Sequence, residues 1–229
     1  TVILGPNGSG KSTLLRAASG EIGYRGSIRL AGLEVAQSAP WRLAARRAVL
    51  EQAPSVAFPF TVAEVVRLGL HAGVAADHEE IVAAALAEVG LAEHAARPIH
   101  VLSGGQRARA HLARVRAQVW QPVGPEGARW LMLDEPVASL DIAHQLQVMA
   151  VMRRFAEAGG GVVAVMHDLN LSAMVADRMV LLAEGRLVAC GPPAEVMRDA
   201  LLSRCYGCRL QVGRAPETLP WVLPQLAGS

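Results

Sequence analysis

"TVILGPNGSGKSTLLRAASG", residues 1–20, decides the fold. Four residues rich in β-branched and apolar side chains are followed by a glycine-rich run containing one lysine, and then by helix formers closed by Gly20. That order reads as strand, loop, helix. Residues 5–12 satisfy the spacing G-x-x-x-x-G-K-[ST] in the setting it requires, so the loop is expected to bind phosphate. Glycines let successive backbone N–H groups converge on phosphate oxygens, the ammonium neutralises them, and the following hydroxyl can complete a Mg²⁺ shell. Gly5, Pro6, Asn7, Gly8, Ser9, Gly10, Lys11, Ser12 and Thr13 are therefore read as a triphosphate cradle, with Ser12 also a metal ligand. A plain glycine-rich turn between a strand and a helix is the competing reading.

Composition supports a special role for that lysine. Of the 22 basic side chains in the 229 residues, Lys11 is the single lysine and the rest are arginines. An ammonium is a compact point charge, whereas guanidinium is a wide planar fork, and a cramped phosphate cradle favours the former.

The rest of the composition works mainly by exclusion. A hydrophobic share of 52% and a charged share of 18% fit an interior-rich globular α/β chain. The net charge of +2, without a basic run, argues against a nucleic-acid platform. No apolar stretch reaches the ~18–20 residues of a membrane span, and no n-region/h-region pair in these residues suggests export, so any membrane association is expected to come through a partner. Cys190, Cys205 and Cys208 are too few for a disulfide framework. The lone C-x-x-C at 205–208 lacks the second pair of a structural zinc site, and the three are read as reduced thiols.

Along the chain, "GSIRLAG" reads as a strand between turns, "PWRLAARR" as a short helix and "AVLEQ" (48–52) as a strand ending at Gln52. The character changes at Thr61, where "TVAE" has capping-box spacing, as does "DHEE" at 77–80. Helical patterns then dominate to about residue 118. "WLMLDE" (130–135) is a continuous apolar run ending in acids, as expected of a parallel strand buried on both faces. A long helix follows, with Ile142, Leu146, Met149, Met152 and Ala156 predicted on its buried face. "GGGVVAVMHD" is another buried strand with a polar exit, "RMVLLAEGRLVACG" a hairpin around Glu184-Gly185, and "PPAEVMRDALLS" a final helix.

A P-loop serine on Mg²⁺ calls for a carboxylate at the end of a neighbouring strand. Asp134 fits that role, and Glu135 beside it is free to orient and polarise water. Without the P-loop, the pair would read as a mere polar strand exit. His167 ends the next strand at the analogous height, where ligands collect in parallel sheets, although an exposed or capping histidine is the commoner case. His71, His78, His94, His100, His111 and His144 show no metal-ligand spacing and are read as surface or packing residues. "LSGGQ" (102–106) places a serine cap and two glycines at the start of a helix, a second anion-type site without a lysine.

With the P-loop, "LSGGQ", "WLMLDE" and a downstream strand-end histidine in this order, the chain resembles ATP-binding-cassette (ABC) ATPases over nearly all of 1–205. The resemblance implies a RecA-like P-loop NTPase: a parallel-sheet ATP-binding core at 1–53 and 119–205, a helical signature subdomain inserted at 54–118, and a tail at 206–229. It also implies an N-terminal antiparallel β segment carrying an adenine-stacking aromatic. Because the sequence begins inside the P-loop strand, that segment is expected to be missing by truncation, and the stacking residue is left unassigned.

By position, Glu135 resembles the general base, His167 the γ-phosphate switch histidine and Gln52 the Q-loop glutamine that reaches Mg²⁺ or the attacking water. Asp134 resembles the metal-side carboxylate and Asp141, in "SLD" (139–141), the D-loop aspartate. Ser103, Gly104, Gly105 and Gln106 look like the signature residues that contact ATP held by the opposite subunit. The implied partners are a second copy of the chain, a transmembrane permease dimer, and a periplasmic or extracellular binding protein acting through it; no nucleic acid is implied. The implied place is the cytoplasmic face of the inner membrane, with ATP and Mg²⁺ as cofactors.

Within the family, residues 166–196 look like those of importers of iron–siderophores, cobalamin and haemin. "RRAVLEQAPSVAFPFTVAEVV" and the stretched "WQPVGPEGARW" are more similar to haemin importers. Glu51 stands where proline is common, and "PVASLD" departs mildly from the usual D-loop form. Haemin import is the leading expectation, with siderophore or cobalamin import next. A non-transport ABC ATPase and a catalytically silent nucleotide-binding module complete the field.

Overall fold

The apolar run before the P-loop is a strand, β1 (Val2–Leu4), buried along its whole length. The computed structural model describes residues 1–52, 58–215, 218, 220 and 222. In chain order β1 is followed by α1 (Lys11–Ser19), β2 (Arg29–Leu30), β3 (Leu33–Glu34), α2 (Pro40–Ala44), β4 (Arg47–Leu50), α3 (Val62–Ala72), α4 (Glu80–Glu88) and α5 (Gly104–Gln118). Then come β5 (Val123–Gly124), β6 (Gly127–Ala128), β7 (Trp130–Asp134), α6 (Ile142–Glu157), β8 (Gly161–Val165) and α7 (Leu169–Val175). The order ends with β9 (Met179–Ala183), β10 (Arg186–Gly191), α8 (Pro193–Val196) and α9 (Asp199–Tyr206). The boundary expected at residues 53/54, and much of the tail beyond 215, fall outside the described residues.

Two compact units divide this chain, residues 1–14 with 165–229, and residues 15–164. In the first, β1 runs parallel to β9, pairing Val2 with Met179 and Leu4 with Leu181. β10 returns antiparallel to β9 through a two-residue turn, Glu184-Gly185, with both φ angles positive (51° and 72°). That is the turn whose twist matches the strands it joins. The stretch read as one final helix is two: Met197 and Arg198 leave the helical region, and Asp199 opens α9. Asp199 then accepts the N–H of Val212 (2.8 Å), tying down the start of the tail.

In the second unit β4 lies parallel to β7, Arg47 opposite Trp130 and Leu50 opposite Leu133. Leu131, Met132 and Leu133 are all buried, as a strand covered on both faces requires. The stretch "GSIRLAG" supplies the strand β2, which turns at Ala31-Gly32 to pair with β3 in a small hairpin. The Pro/Gly loop before β7 likewise closes into the β5–β6 hairpin.

The helices α3, α4 and α5 pack together around Val65, Val66, Leu70, Ala85, Leu86, Leu112 and Val115. Gly69 permits the closest approach, because a side chain there would overlap the carbonyl oxygen of Arg114. The capping box at Thr61 is formed: its hydroxyl accepts the N–H of Glu64, whose carboxylate accepts the N–H of Thr61 at 2.7 Å. The box expected at 77–80 is absent. The carboxylate of Glu80, which would have turned back onto Asp77, is held instead by His78 Nδ1 at 2.8 Å.

Candidate functional site

In the first unit, Gly5 leaves β1 with φ 147°, and Gly8 (77°) and Gly10 (94°) are also in the left-handed half of the map. A side chain at Gly5 would overlap the carbonyl oxygen of Leu182 and crowd Ser9 Oγ, so the loop can turn this tightly only with glycine there. The loop is pinned from below as well: Ser9 donates its N–H to Pro6 O (3.2 Å) and accepts that of Gly185 (3.2 Å) from the β9–β10 turn. Lys11 is 6% exposed, and its ammonium donates to the carbonyls of Gly5 (2.9 Å) and Pro6 (3.0 Å). The buried ammonium is thus bonded to two carbonyls of the loop whose sequence predicts phosphate binding.

His167 belongs to the same unit. Met166 donates its N–H to Ile3 O (3.2 Å), which sets His167 one residue beyond, at the strand end where Gly5 begins the loop. Its own neighbour, Asp168, caps α7 by accepting the N–H of Leu171 (2.8 Å). His167 is exposed at this rim.

In the second unit the pairing of β4 with β7 brings Gln52, two residues past Leu50, to the same sheet end as Asp134 and Glu135. Asp134 is 6% exposed at the end of β7. Glu135 follows with φ 53°, the left-handed region that a non-glycine residue enters only at a cost of about 1–3 kcal/mol. Its carbonyl accepts the N–H of Ala138 (3.1 Å), closing a tight turn through Pro136. The left-handed backbone at Glu135 breaks the strand alternation immediately after Asp134, so the two adjacent acids need not face the same way. Gln52, Asp134 and Glu135 line one cavity of about 560 Å³, together with Gly104, Arg107 and His111 of α5. Burial, reinforced by the cationic Arg114 and Arg107, pushes the pKa of His111 down to about 4, so it is neutral at neutral pH.

The signature helix start is built differently from the P-loop. Ser103 caps α5 by accepting the N–H of Gln106 (3.2 Å), and the Gln106 side chain accepts the N–H of Ser103 (3.0 Å). Gln106 Nε2 is also 3.0 Å from His94 Nε2. Ser103 and Gly104 are exposed, and nothing lies near where a side chain on Gly104 would stand. A short 3₁₀ turn, Ile99–Val101, and an extended Leu102 lead into Ser103. Asp141 caps α6, accepting the backbone N–H of His144 (2.9 Å) and approaching its ring Nδ1 (2.8 Å).

Known proteins resemble this chain over almost its whole length. The ABC transporter family profile matches residues 1–138, which is more than half of the chain. This chain belongs to the ABC transporter family. It is 56% identical over 228 residues to the hemin import ATP-binding protein HmuV of Roseobacter denitrificans, covering 99% of the chain and 87% of that relative. The HmuV of a Jannaschia species is 57% identical (99% and 84% covered), and that of Rhizobium etli 49% (99% and 88%). A solved metal-chelate type ABC transporter in an inward-facing conformation superposes with a TM-score of 0.70 at 23% identity, over 89% of this chain and 76% of that one. That likeness extends to the fold. As an ABC ATPase the chain binds and hydrolyses ATP in the service of transport.

Some participants were not legible in the sequence. His111, read as a packing residue, lines the acid cavity, and Arg107 joins it. Helical spacing from Gly104 would have flagged them: positions 107, 108 and 111 share one face of α5. Ile142, predicted on the buried face of α6, is 53% exposed; the first turn of that helix stands clear, and Val148, Met149, Val151, Met152 and Phe155 form its buried side.

Proposed function

We propose that this chain is the ATPase subunit of an importer of haemin, and that closure of two copies around ATP drives a transmembrane permease. The observation that carries the cargo is identity of 49–57% across 99% of the chain to proteins named for hemin import. Among the described residues no helix is long and apolar enough to cross a membrane. Attachment at the cytoplasmic face of the inner membrane is accordingly assigned to the permease, with an external binding protein delivering cargo to it.

The residue roles follow from chemistry. Residues 5–13 would hold the triphosphate, with the Lys11 ammonium exchanging its loop carbonyls for β- and γ-phosphate oxygens. For Mg²⁺, Ser12, Gln52 and Asp134 supply a hydroxyl, an amide oxygen and a buried carboxylate. This all-oxygen set suits a small hard cation that keeps several waters, and once bound the ion would neutralise charge on the phosphates. Glu135 would take the proton of the attacking water, held away from Asp134 by the left-handed turn. His167 would contact the γ-phosphate. Ser103, Gly104, Gly105 and Gln106 would offer helix N–H groups to ATP bound by the second copy, with Asp141 shaping the D-loop between them.

The deciding experiment reconstitutes the chain with its permease and measures ATP turnover as cargo-loaded binding protein is added. Stimulation by haemin and not by an iron–siderophore or cobalamin is the expected result. Stimulation by either of the others would replace the cargo, and turnover indifferent to all three would detach the chain from chelate import.

A further inference from the structure

A second cavity of the second unit, about 810 Å³, is separate from the acid cavity. It lies where Arg46 enters β4 and Arg129 precedes β7, at the amino ends of strands whose carboxyl ends carry Gln52 and Asp134. Its volume is in the range of small-molecule sites. The residues that give it character are Trp41, Arg42, Arg46, His78, Trp120 and Arg129.

Three features of this lining belong together. Trp41 is 74% exposed, an uncovered indole on the short helix α2, and Trp120 has the guanidinium of Arg116 4.2 Å from its ring centre. Arg129 is 7% exposed, donates Nη1 to Gln121 O (3.1 Å), and has no carboxylate partner among the described residues. Arg42 is likewise without an ion pair among the described residues, whereas Arg46 is paired with Glu126. The cavity therefore carries cationic charge in excess of its acids, one unit of it buried, and burial holds the Arg129 pKa below its usual value. A desolvated cation without a counter-charge is costly, and an anionic ligand relieves that cost.

The third feature is His78. Its Nδ1 stands 2.8 Å from Glu80 Oε1, and an ionised carboxylate can only accept, so Nδ1 carries a proton and the lone pair of the neutral ring is on Nε2. A histidine oriented by a carboxylate through one nitrogen is primed to ligate a metal through the other.

A ligand matching all three is planar and aromatic, carries carboxylates, and presents a metal that accepts one imidazole. We propose that this cavity binds an iron porphyrin, with Trp41 and Trp120 against the ring, Arg42 and Arg129 on its carboxylates, and His78 Nε2 on its iron. The choice of porphyrin rests on the haemin reading above. The site would give the ATPase subunit its own contact with the cargo, separate from the permease.

The test is a titration of the full chain with haemin, without ATP or permease, following the haem absorption band and tryptophan fluorescence. Saturable binding of one haemin per chain is expected, with quenching and a shift of the band to that of imidazole-ligated iron. His78→Ala should keep the quenching and lose the ligation shift, and should leave binding of metal-free porphyrin unchanged. Trp41→Ala should weaken both porphyrins roughly tenfold. Both side chains are mostly exposed, so the variants are expected to fold. Titrations of the two variants identical to wild type would overturn the site and leave the import reading standing. A reconstituted transporter that answers to siderophore instead of haemin would overturn the import reading without altering the titration.

Discussion

At the start of α1 the loop brings its own cation; at the start of α5 the helix brings its own caps. Lys11 is buried and bonded to carbonyls of the P-loop, whose Gly5, Gly8 and Gly10 all take positive φ. Ser103 and Gln106 instead satisfy each other's backbone N–H groups, and no lysine lies anywhere near in sequence. The first region is equipped to hold a highly charged anion by itself. The second is pre-shaped and exposed but offers only helix N–H groups and a hydroxyl, which suits an anion whose charge another site already carries. The proposed two-copy arrangement makes these halves of one site.

The strongest way to separate the halves is Glu135→Gln. Hydrolysis should fall by ~10²–10⁴, the range for removing a general base, with ATP affinity kept. ATP should then hold two copies together, seen by light scattering or sedimentation. A variant that stays monomeric with ATP would break the comparison by leaving the α5 start without a phosphate.

Lys11→Ala attacks the other half and should weaken ATP binding by about 10–100-fold, the value of a charge-assisted hydrogen bond. Unchanged nucleotide affinity by calorimetry would contradict the cradle.

A smaller effect is expected from acid. Neutral His111 has a folded pKa of about 4 against an ordinary 6.5, so the unfolded chain binds the proton more readily. The stability held above about pH 6.5 should decline as pH falls toward 4. His111→Gln should flatten that decline in denaturant melts, and an unaltered pH profile would remove the histidine as its cause.

The smallest effect compares two capping boxes. Thr61→Ala and Ser103→Ala should each cost about 1 kcal/mol of stability. Only the second should slow ATP turnover, and equal turnover in both would make Ser103 a cap and nothing more.

What the sequence revealed divides along physical lines. The P-loop was readable because its chemistry demands glycines, a lysine and a hydroxyl at fixed spacing, and the parallel strands were readable because double burial demands continuous apolar runs. Local spacing misled where a side chain had a better offer, as when His78 took the carboxylate that Asp77 was expected to share. It also misled at Ile142, because helical periodicity gives the face but not how far along the helix that face stays covered. The left-handed turn at Glu135 had no local signal, since neither acid nor proline requires it. The acid cavity depends on β4 meeting β7 some eighty residues later, a pairing that no short pattern encodes.

The solitary lysine has one more consequence. Because Lys11 is the only side-chain amine in the 229 residues, an amine-selective acylating reagent would find one side-chain amine there, placed where nucleotide is expected. The rate at which that amine is labelled becomes a built-in gauge of loop occupancy, readable by mass spectrometry without introducing any reporter.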